Sequence, residues 1–200
     1  MEKELAQDKK TISFYAQEAE PYTSRGRKAD TRHLETFLSL LSADATILEL
    51  GCGGGQDSEF MISKGFNVRP TDGTPEIARA AEQRLGIPVA PLMFDELDEE
   101  GTCDGIWANA CLLHVPRGEL QGILGRVYRA LKPGGVFYAS FKAGESEGRD
   151  MFDRYYNYPS EAWLSDLYAA FSWQSVTTET GQGRGYDGKL TGWLFLFAVK

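Results

Sequence analysis

Four short stretches of this 200-residue chain carry side chains suited to holding a charged nucleotide-like molecule. The first is a turn of three glycines, Gly51-x-Gly53-x-Gly55, that follows an apolar run (Ile47, Leu48, Leu50) interrupted by one acid, Glu49. Glycine is needed where the backbone takes positive φ, or where a ligand approaches the main chain with no Cβ in the way. Cys52 sits inside this turn, where its small size suits. The second stretch is Asp72-Gly73-Thr74. A carboxylate about 20 residues beyond such a turn can accept two hydrogen bonds from a ribose diol, although Asp-Gly is also a turn pair able to cap the helix that follows. In the third, Met93 and Phe94 can sandwich an adenine ring or serve as ordinary core, and Asp95 can reach an exocyclic amine. The fourth, Asn109 to His114, brings Asn109, Ala110 and a histidine. Glu49 is placed to attract an ammonium group directly or through water, or to be satisfied by local backbone amides.

These stretches need a scaffold that brings them together, and the hydrophobic pattern supplies one. Leu34, Phe37, Leu38 and Leu41 recur at helical spacing. Ile47 to Leu50 reads as a strand, Gln56 to Lys64 as a helix closed by Gly65, and Phe66 to Thr71 as a second strand. Thr74-Pro75-Glu76 opens a helix as cap, first-turn proline and first-turn acid. Pro88 to Leu92 and Asp104 to Asn109 are strands three and four. Arg117 to Leu131 is a helix with Leu120, Leu124, Val127 and Leu131 in register, and Val136 to Phe141 is strand five. Strands alternating with helices imply a parallel sheet covered on both faces, with ligands beyond the carboxyl ends of the strands. Those ends are the four stretches. Then come an aromatic segment, Met151 to Tyr158, a helix, Ser160 to Phe171, and two strands, Ser172 to Thr180 and Trp193 to Val199. The glycine-rich residues Gly181 to Gly192 join the last two as an edge hairpin.

Composition narrows the class. The chain is 42% hydrophobic and 12% aromatic, which suits one domain with a substantial core. No apolar run reaches the roughly 20 residues of a membrane span, and the charged start, MEKELAQDKK, does not read as a secretory signal. Three scattered cysteines imply neither a disulfide framework nor a zinc site, so a reduced, cytoplasmic protein without metal is expected. The net charge of −8 and the lack of a long basic run argue against nucleic acid as a partner.

The glycine turn distinguishes two cofactors. A nicotinamide site has G-x-G-x-x-G, whose third glycine would fall at position 56, where the chain has Gln56. E-x-G-x-G-x-G, as found here, is the form that binds S-adenosylmethionine. Four segments, ILELGCGGGQD, VRPTDGTPEIA, CDGIWANACLLHVPRGEL and ALKPGGVFYASFKAGESEGRD, resemble the small class I S-adenosylmethionine-dependent methyltransferases, in particular the tellurite-resistance-like subgroup. The likeness runs from about Phe14 to about Lys142. It implies an α/β, Rossmann-like three-layer sandwich with a seven-stranded, mostly parallel sheet in the order 3-2-1-4-5-7-6, strand seven antiparallel. It also implies cofactor contacts at Gly51, Gly53, Asp72, Phe94, Asn109 and Ala110, with Cys52, Gly55, Gly73 and Thr74 in the same turns, and S-adenosylhomocysteine as product. Asn109 departs from the small residue or cysteine usual at its place, and Arg69-Pro70 interrupts a strand that is usually apolar.

On this reading residues 1–200 form one methyltransferase domain. Residues 1–28 are a helical segment whose Tyr15 and Tyr22 belong to a lid over the cofactor. Residues 143–171 are an insertion on the substrate side, where Arg149 among tyrosines would suit an anionic or aromatic acceptor. His114 is the candidate base, with a structural hydrogen-bonding role as the alternative. His33, on the polar side of its helix, is expected to be exposed. The expected partner is a small-molecule methyl acceptor, and the protein a monomer or homodimer. Two other classes stay open: an NAD-dependent oxidoreductase, against which Gln56 counts, and a non-catalytic protein that binds S-adenosylmethionine.

Overall fold

The structure, a computed structural model, describes residues 7–200. The strands are β1 (Thr46–Glu49), β2 (Asn67–Asp72), β3 (Ala90–Pro91), β4 (Cys103–Ala108), β5 (Leu131–Lys142), β6 (Glu147–Arg149), β7 (Tyr155–Asn157), β8 (Ser175–Arg184) and β9 (Leu190–Val199). The helices are α1 (Lys9–Gln17), α2 (Ala19–Ser24), α3 (Thr31–Ser39), α4 (Gln56–Ser63), α5 (Pro75–Leu85), α6 (Arg117–Ala130) and α7 (Glu161–Tyr168). Seven strands form one sheet in the order β3-β2-β1-β4-β5-β9-β8, parallel from β3 to β5 and antiparallel across β5, β9 and β8. With β6 and β7 set apart in their own two-stranded sheet, this is the expected order. No helix among the described residues is long and apolar enough to cross a membrane.

The sheet is buried on both faces, so its central strands alternate between two cores. Ile106, Ala108, Phe137, Ala139 and Phe141 pack with Leu120, Leu124 and Val127 of α6. Trp107 and Tyr138 point the other way, toward Leu34 and Phe37 of α3 and Met61 of α4. Their rings stack at 3.8 Å and 10°. With both faces of the central strands covered, the carboxyl ends of those strands are where a ligand can approach the backbone.

Several expectations change. β3 is two residues long, yet Leu92 still donates to the Asp72 carbonyl (3.0 Å) and holds the following loop against β2. Met151 to Tyr158 includes β7, paired with β6, where only an aromatic segment was read. Gly181 to Gly192 is mostly strand: β8 and β9 pair from Ser175–Val199 to Arg184–Leu190, leaving a short tip. A Cβ on Gly181 would lie 3.0 Å from the Phe195 ring, so glycine here admits a large aromatic neighbour. His33 is buried, 5% exposed, and stacks on Phe195 at 4.2 Å while Nδ1 pairs with Asp30 (2.7 Å). The partner that buries it comes from β9, beyond the reach of α3's own periodicity.

Candidate active site

β1 delivers Glu49 and then turns through Gly51 (φ 64°) and Gly53 (φ 57°). A Cβ on Gly51 would stand 2.5 Å from that of Cys111, and one on Gly53 would touch the Tyr22 ring at 3.4 Å. Gly55 (φ 79°) caps α4 instead, its bare Cα facing Leu85. β2 delivers Asp72 beside this turn. One oxygen of its carboxylate accepts from the Gly53 N–H (3.0 Å) and the other from the Thr74 N–H (2.9 Å). Each oxygen keeps a further lone pair, and Asp72 lines a cavity with Gly51, Gly53, Gly73, Thr74 and Phe94. Burial pushes the Asp72 pKa up to about 6 against the pull of those two amides.

Around the turn's other side, Glu49 is 2% exposed and accepts from the Ser58 hydroxyl. Burial first, and then the charge of Asp57, push its pKa up to about 8. Asp57 is also buried, and one of its oxygens accepts from Arg27 (2.9 Å), Trp107 Nε1 (3.1 Å) and Asn109 Nδ2 (2.9 Å). Asn109 is thereby fixed, and its Oδ1 accepts from Ser140 (2.7 Å). Ser140 in turn accepts from the N–H of Ala110 (2.8 Å), which holds that residue at φ 55°. A left-handed alanine costs roughly 1–3 kcal/mol and persists only where neighbours over-determine it. Glu49, Cys52, Asp57 and Asn109 line a second hollow that meets the first at Tyr22, Gly51, Gly53 and Ala110.

A third, larger cavity of about 640 Å³ opens beyond Tyr22 and Ala110, which line all three. Tyr15 and His114 form the wall between it and the Asp72 cavity. His114 Nδ1 lies 2.6 Å from the Tyr155 carbonyl, which can only accept, so Nδ1 carries the proton. Nε2 is therefore the acceptor facing the Tyr15 hydroxyl at 3.0 Å. Arg154 donates to the same hydroxyl (2.9 Å) and is held by Asp150 (2.6 and 3.0 Å). Burial lowers the His114 pKa to about 3, so the ring is neutral at pH 7.

The structure thus gathers Tyr15, Tyr22, Glu49, Gly51, Cys52, Gly53, Asp72, Gly73, Thr74, Phe94, Asn109, Ala110 and His114 around connected cavities. Met93 and Asp95 flank Phe94 and do not line these cavities; Met93 donates its N–H to Glu96 (2.9 Å). Arg149 is placed elsewhere. Its guanidinium grips Asp8 (2.6 and 3.0 Å), the cap of α1, and the carbonyl of Asp153 (2.6 Å). Of the two, Arg154 lines the larger cavity, fully buried among Phe14, Tyr15, Phe152, Tyr156 and Tyr186. Both arginines lie within one short segment, five positions apart, and only the β6–β7 pairing decides which points inward. Asp57 and Lys142 were also missed, being single charged residues with no spacing signal of their own.

Residues 47–135 match the family of methyltransferase domains. An uncharacterized methyltransferase of Synechocystis is 30% identical over 101 residues, 48% of this chain and 47% of that protein. The ubiquinone biosynthesis O-methyltransferase of Xanthomonas oryzae is 31% identical over 105 residues, 49% of this chain and 43% of its own length. The matched stretches thus span about half the length of these curated relatives. Among solved structures, the 1,6-didemethyltoxoflavin-N1-methyltransferase of Burkholderia thailandensis, with bound 1,6-didemethyltoxoflavin and S-adenosylhomocysteine, superposes with a TM-score of 0.70 at 24% identity, covering 96% of this chain and 87% of that one. A S-adenosylmethionine-dependent methyltransferase of Methanosarcina mazei gives 0.71 at 21% identity, over 82% of this chain and 96% of that one. Residues 47–135 thus resemble a methyltransferase domain, and the chain has the fold of the S-adenosylmethionine-dependent methyltransferases.

Proposed function

We propose that the chain catalyses methyl transfer from S-adenosylmethionine to a small-molecule acceptor. The observation that carries this reading is the Tyr15–His114 pair, standing between a cavity that ends at Asp72 and a second one large enough for an acceptor. The bare backbone at Gly51 and Gly53 and the two free lone pairs of Asp72 suit the adenosine end, and buried Glu49 suits the ammonium of the methionine end. S-adenosylmethionine, when bound, supplies a methyl group on an excellent leaving group. What the protein must then do is hold the acceptor atom about 3 Å from that methyl, in line, and exclude water.

Tyr22 and Ala110 stand where the cavities meet, and α1 and α2 form the roof over that point. Tyr15 is held from both sides, by Arg154 as donor and His114 as acceptor. With its pKa near 3, His114 orients the Tyr15 hydroxyl more effectively than it removes a proton. An acceptor that arrives ionised, or that loses a weakly held proton, needs no stronger base. The combination of Asp104-Gly-Ile-Trp with Leu131-Lys-Pro-Gly-Gly supports the tellurite-resistance-like subgroup, and three buried free thiols suit a cytoplasmic setting. The Burkholderia neighbour, with its small bound acceptor, supports the substrate size.

The test is transfer of labelled methyl from S-adenosylmethionine into a size-filtered extract of small metabolites. Label is expected to enter the small-molecule fraction, and Tyr15→Phe to lower the rate by at least tenfold with cofactor affinity within twofold of the original. Cofactor binding with no transfer to any small molecule would contradict the proposal.

A further inference from the structure

The third cavity has a chemical character opposite to that of the chain. The protein carries a net charge of −8, yet seven basic side chains and a single acid, Asp30, line this cavity. Three of the cations are already paired: Arg27 with Asp57, Arg32 with Glu179 and Arg154 with Asp150. Arg25 has no carboxylate partner among the described residues and lies over the rings of Tyr22 (4.1 Å) and Tyr186 (5.0 Å).

Two buried donors in this cavity are poorly matched: one holds its carboxylate only at long range and the other has no acceptor. Lys142 is 4% exposed; its ammonium sits 4.4 Å over the Tyr156 ring, and its nearest carboxylate, Asp187 on the β8–β9 tip, is 3.8 Å away. Trp193 is 9% exposed, and its indole N–H has no partner. Lys142 and Trp193 are direct partners across the antiparallel β5–β9 pair, so the two side chains leave the same face of the sheet at the same rung. Leaving such donors unpaired is costly unless something accepts from them. A carboxylate offers two acceptor oxygens on one flat group, and the neighbouring walls, Tyr156, Tyr186 and Phe195, offer aromatic faces.

We propose that this cavity binds the methyl acceptor as an aromatic carboxylate, whose oxygens take hydrogen bonds from the Lys142 ammonium and the Trp193 indole N–H. Building on the methyltransferase reading for its role as acceptor, the anion site itself rests on geometry alone. Asp187 is the counter-ion that the ligand replaces. The other charges facing Lys142, those of Arg154 and Asp150, are already joined to each other.

Calorimetric titration of the full chain with benzoate and with its neutral isostere benzamide tests this, with and without saturating S-adenosylhomocysteine. Benzoate is expected to bind at least tenfold more tightly than benzamide. Lys142→Met should abolish the preference with S-adenosylhomocysteine affinity unchanged within twofold, and Asp187→Asn, which removes the competing carboxylate, should strengthen benzoate binding. Arg25→Gln, at an exposed position, should weaken it if Lys142→Met does not fold. Equal binding of the two probes, binding of neither, or a preference that survives Lys142→Met would overturn the proposal. Failure of S-adenosylhomocysteine alone to bind, with benzoate still preferred, would strike the methyltransferase reading and leave the anion site standing.

Discussion

Burial raises the pKa of both Glu49 and Asp72, and each has a ligand group that would favour its ionised form. With a pKa near 8, Glu49 is largely protonated at pH 7 in the free protein. A cofactor ammonium beside it favours the ionised form, so binding should release a proton from this residue. Titration with S-adenosylhomocysteine at pH 7 in phosphate and in Tris, buffers of very different ionisation enthalpy, is expected to show release of a sizeable fraction of one proton. Affinity should rise as the pH climbs toward 8, and Glu49→Gln should remove both effects. Identical apparent enthalpies in the two buffers would assign the ammonium to another group. The types and order of Glu49, Gly51, Gly53 and Asp72 were legible in the sequence because the turn imposes them on a single stretch of backbone. Lys142 and Trp193 were not: they acquire meaning only as partners across β5 and β9, 51 positions apart.

At the scale of elements, α1 is fastened over the site by contacts that join it to the β6–β7 sheet. Asp8 caps the helix through the Thr11 N–H (2.9 Å) and also receives Arg149, Lys10 pairs with Asp153 (2.6 Å), and Thr11 accepts from the N–H of Tyr155 (2.8 Å). Arg149, expected to meet the acceptor, is the fastener of the roof. The Arg149 hydrogen bond leads in holding the Asp8 carboxyl down to a pKa of about 2. A depressed carboxyl pKa means that this contribution is complete above about pH 4 and is lost as the pH falls through about 2. Arg149→Ala is expected to speed hydrogen exchange in α1 by several-fold and to weaken S-adenosylhomocysteine binding about three- to tenfold, with little change in global stability for so exposed a pair. Unchanged exchange and affinity would mean that α1 stays closed without this contact. The helices of the sheet core were legible from apolar spacing. The β6–β7 pair was not, because two three-residue strands carry too short a pattern to separate strand from helix.

Across the whole molecule, one buried carboxylate joins the parts that the site draws on. Asp57, 2% exposed, is the common acceptor for Arg27 in the α2–α3 connection, Trp107 on β4 and Asn109 beyond it. Removing it strands a half-buried guanidinium and a buried indole N–H. Asp57→Ala should therefore destabilise the fold by about 3–5 kcal/mol in urea unfolding, and a loss below about 1 kcal/mol would show that the hub is dispensable. The parallel sheet was legible because strands alternate with helices along the chain, and its strand order came from the family resemblance, which the structure bears out. The burial of His33 was not, since its cover comes from Phe195 at the far end of the chain.

The measurement that bears most directly on the account is calorimetric titration with S-adenosylmethionine and S-adenosylhomocysteine, with NAD as control, on the original chain and on Asp72→Ala. Micromolar binding of both sulfur compounds, none of NAD, and a loss of at least tenfold (about 1.4 kcal/mol) in Asp72→Ala are expected. A folded protein that binds neither compound, or that binds them equally well without the Asp72 carboxylate, would contradict it.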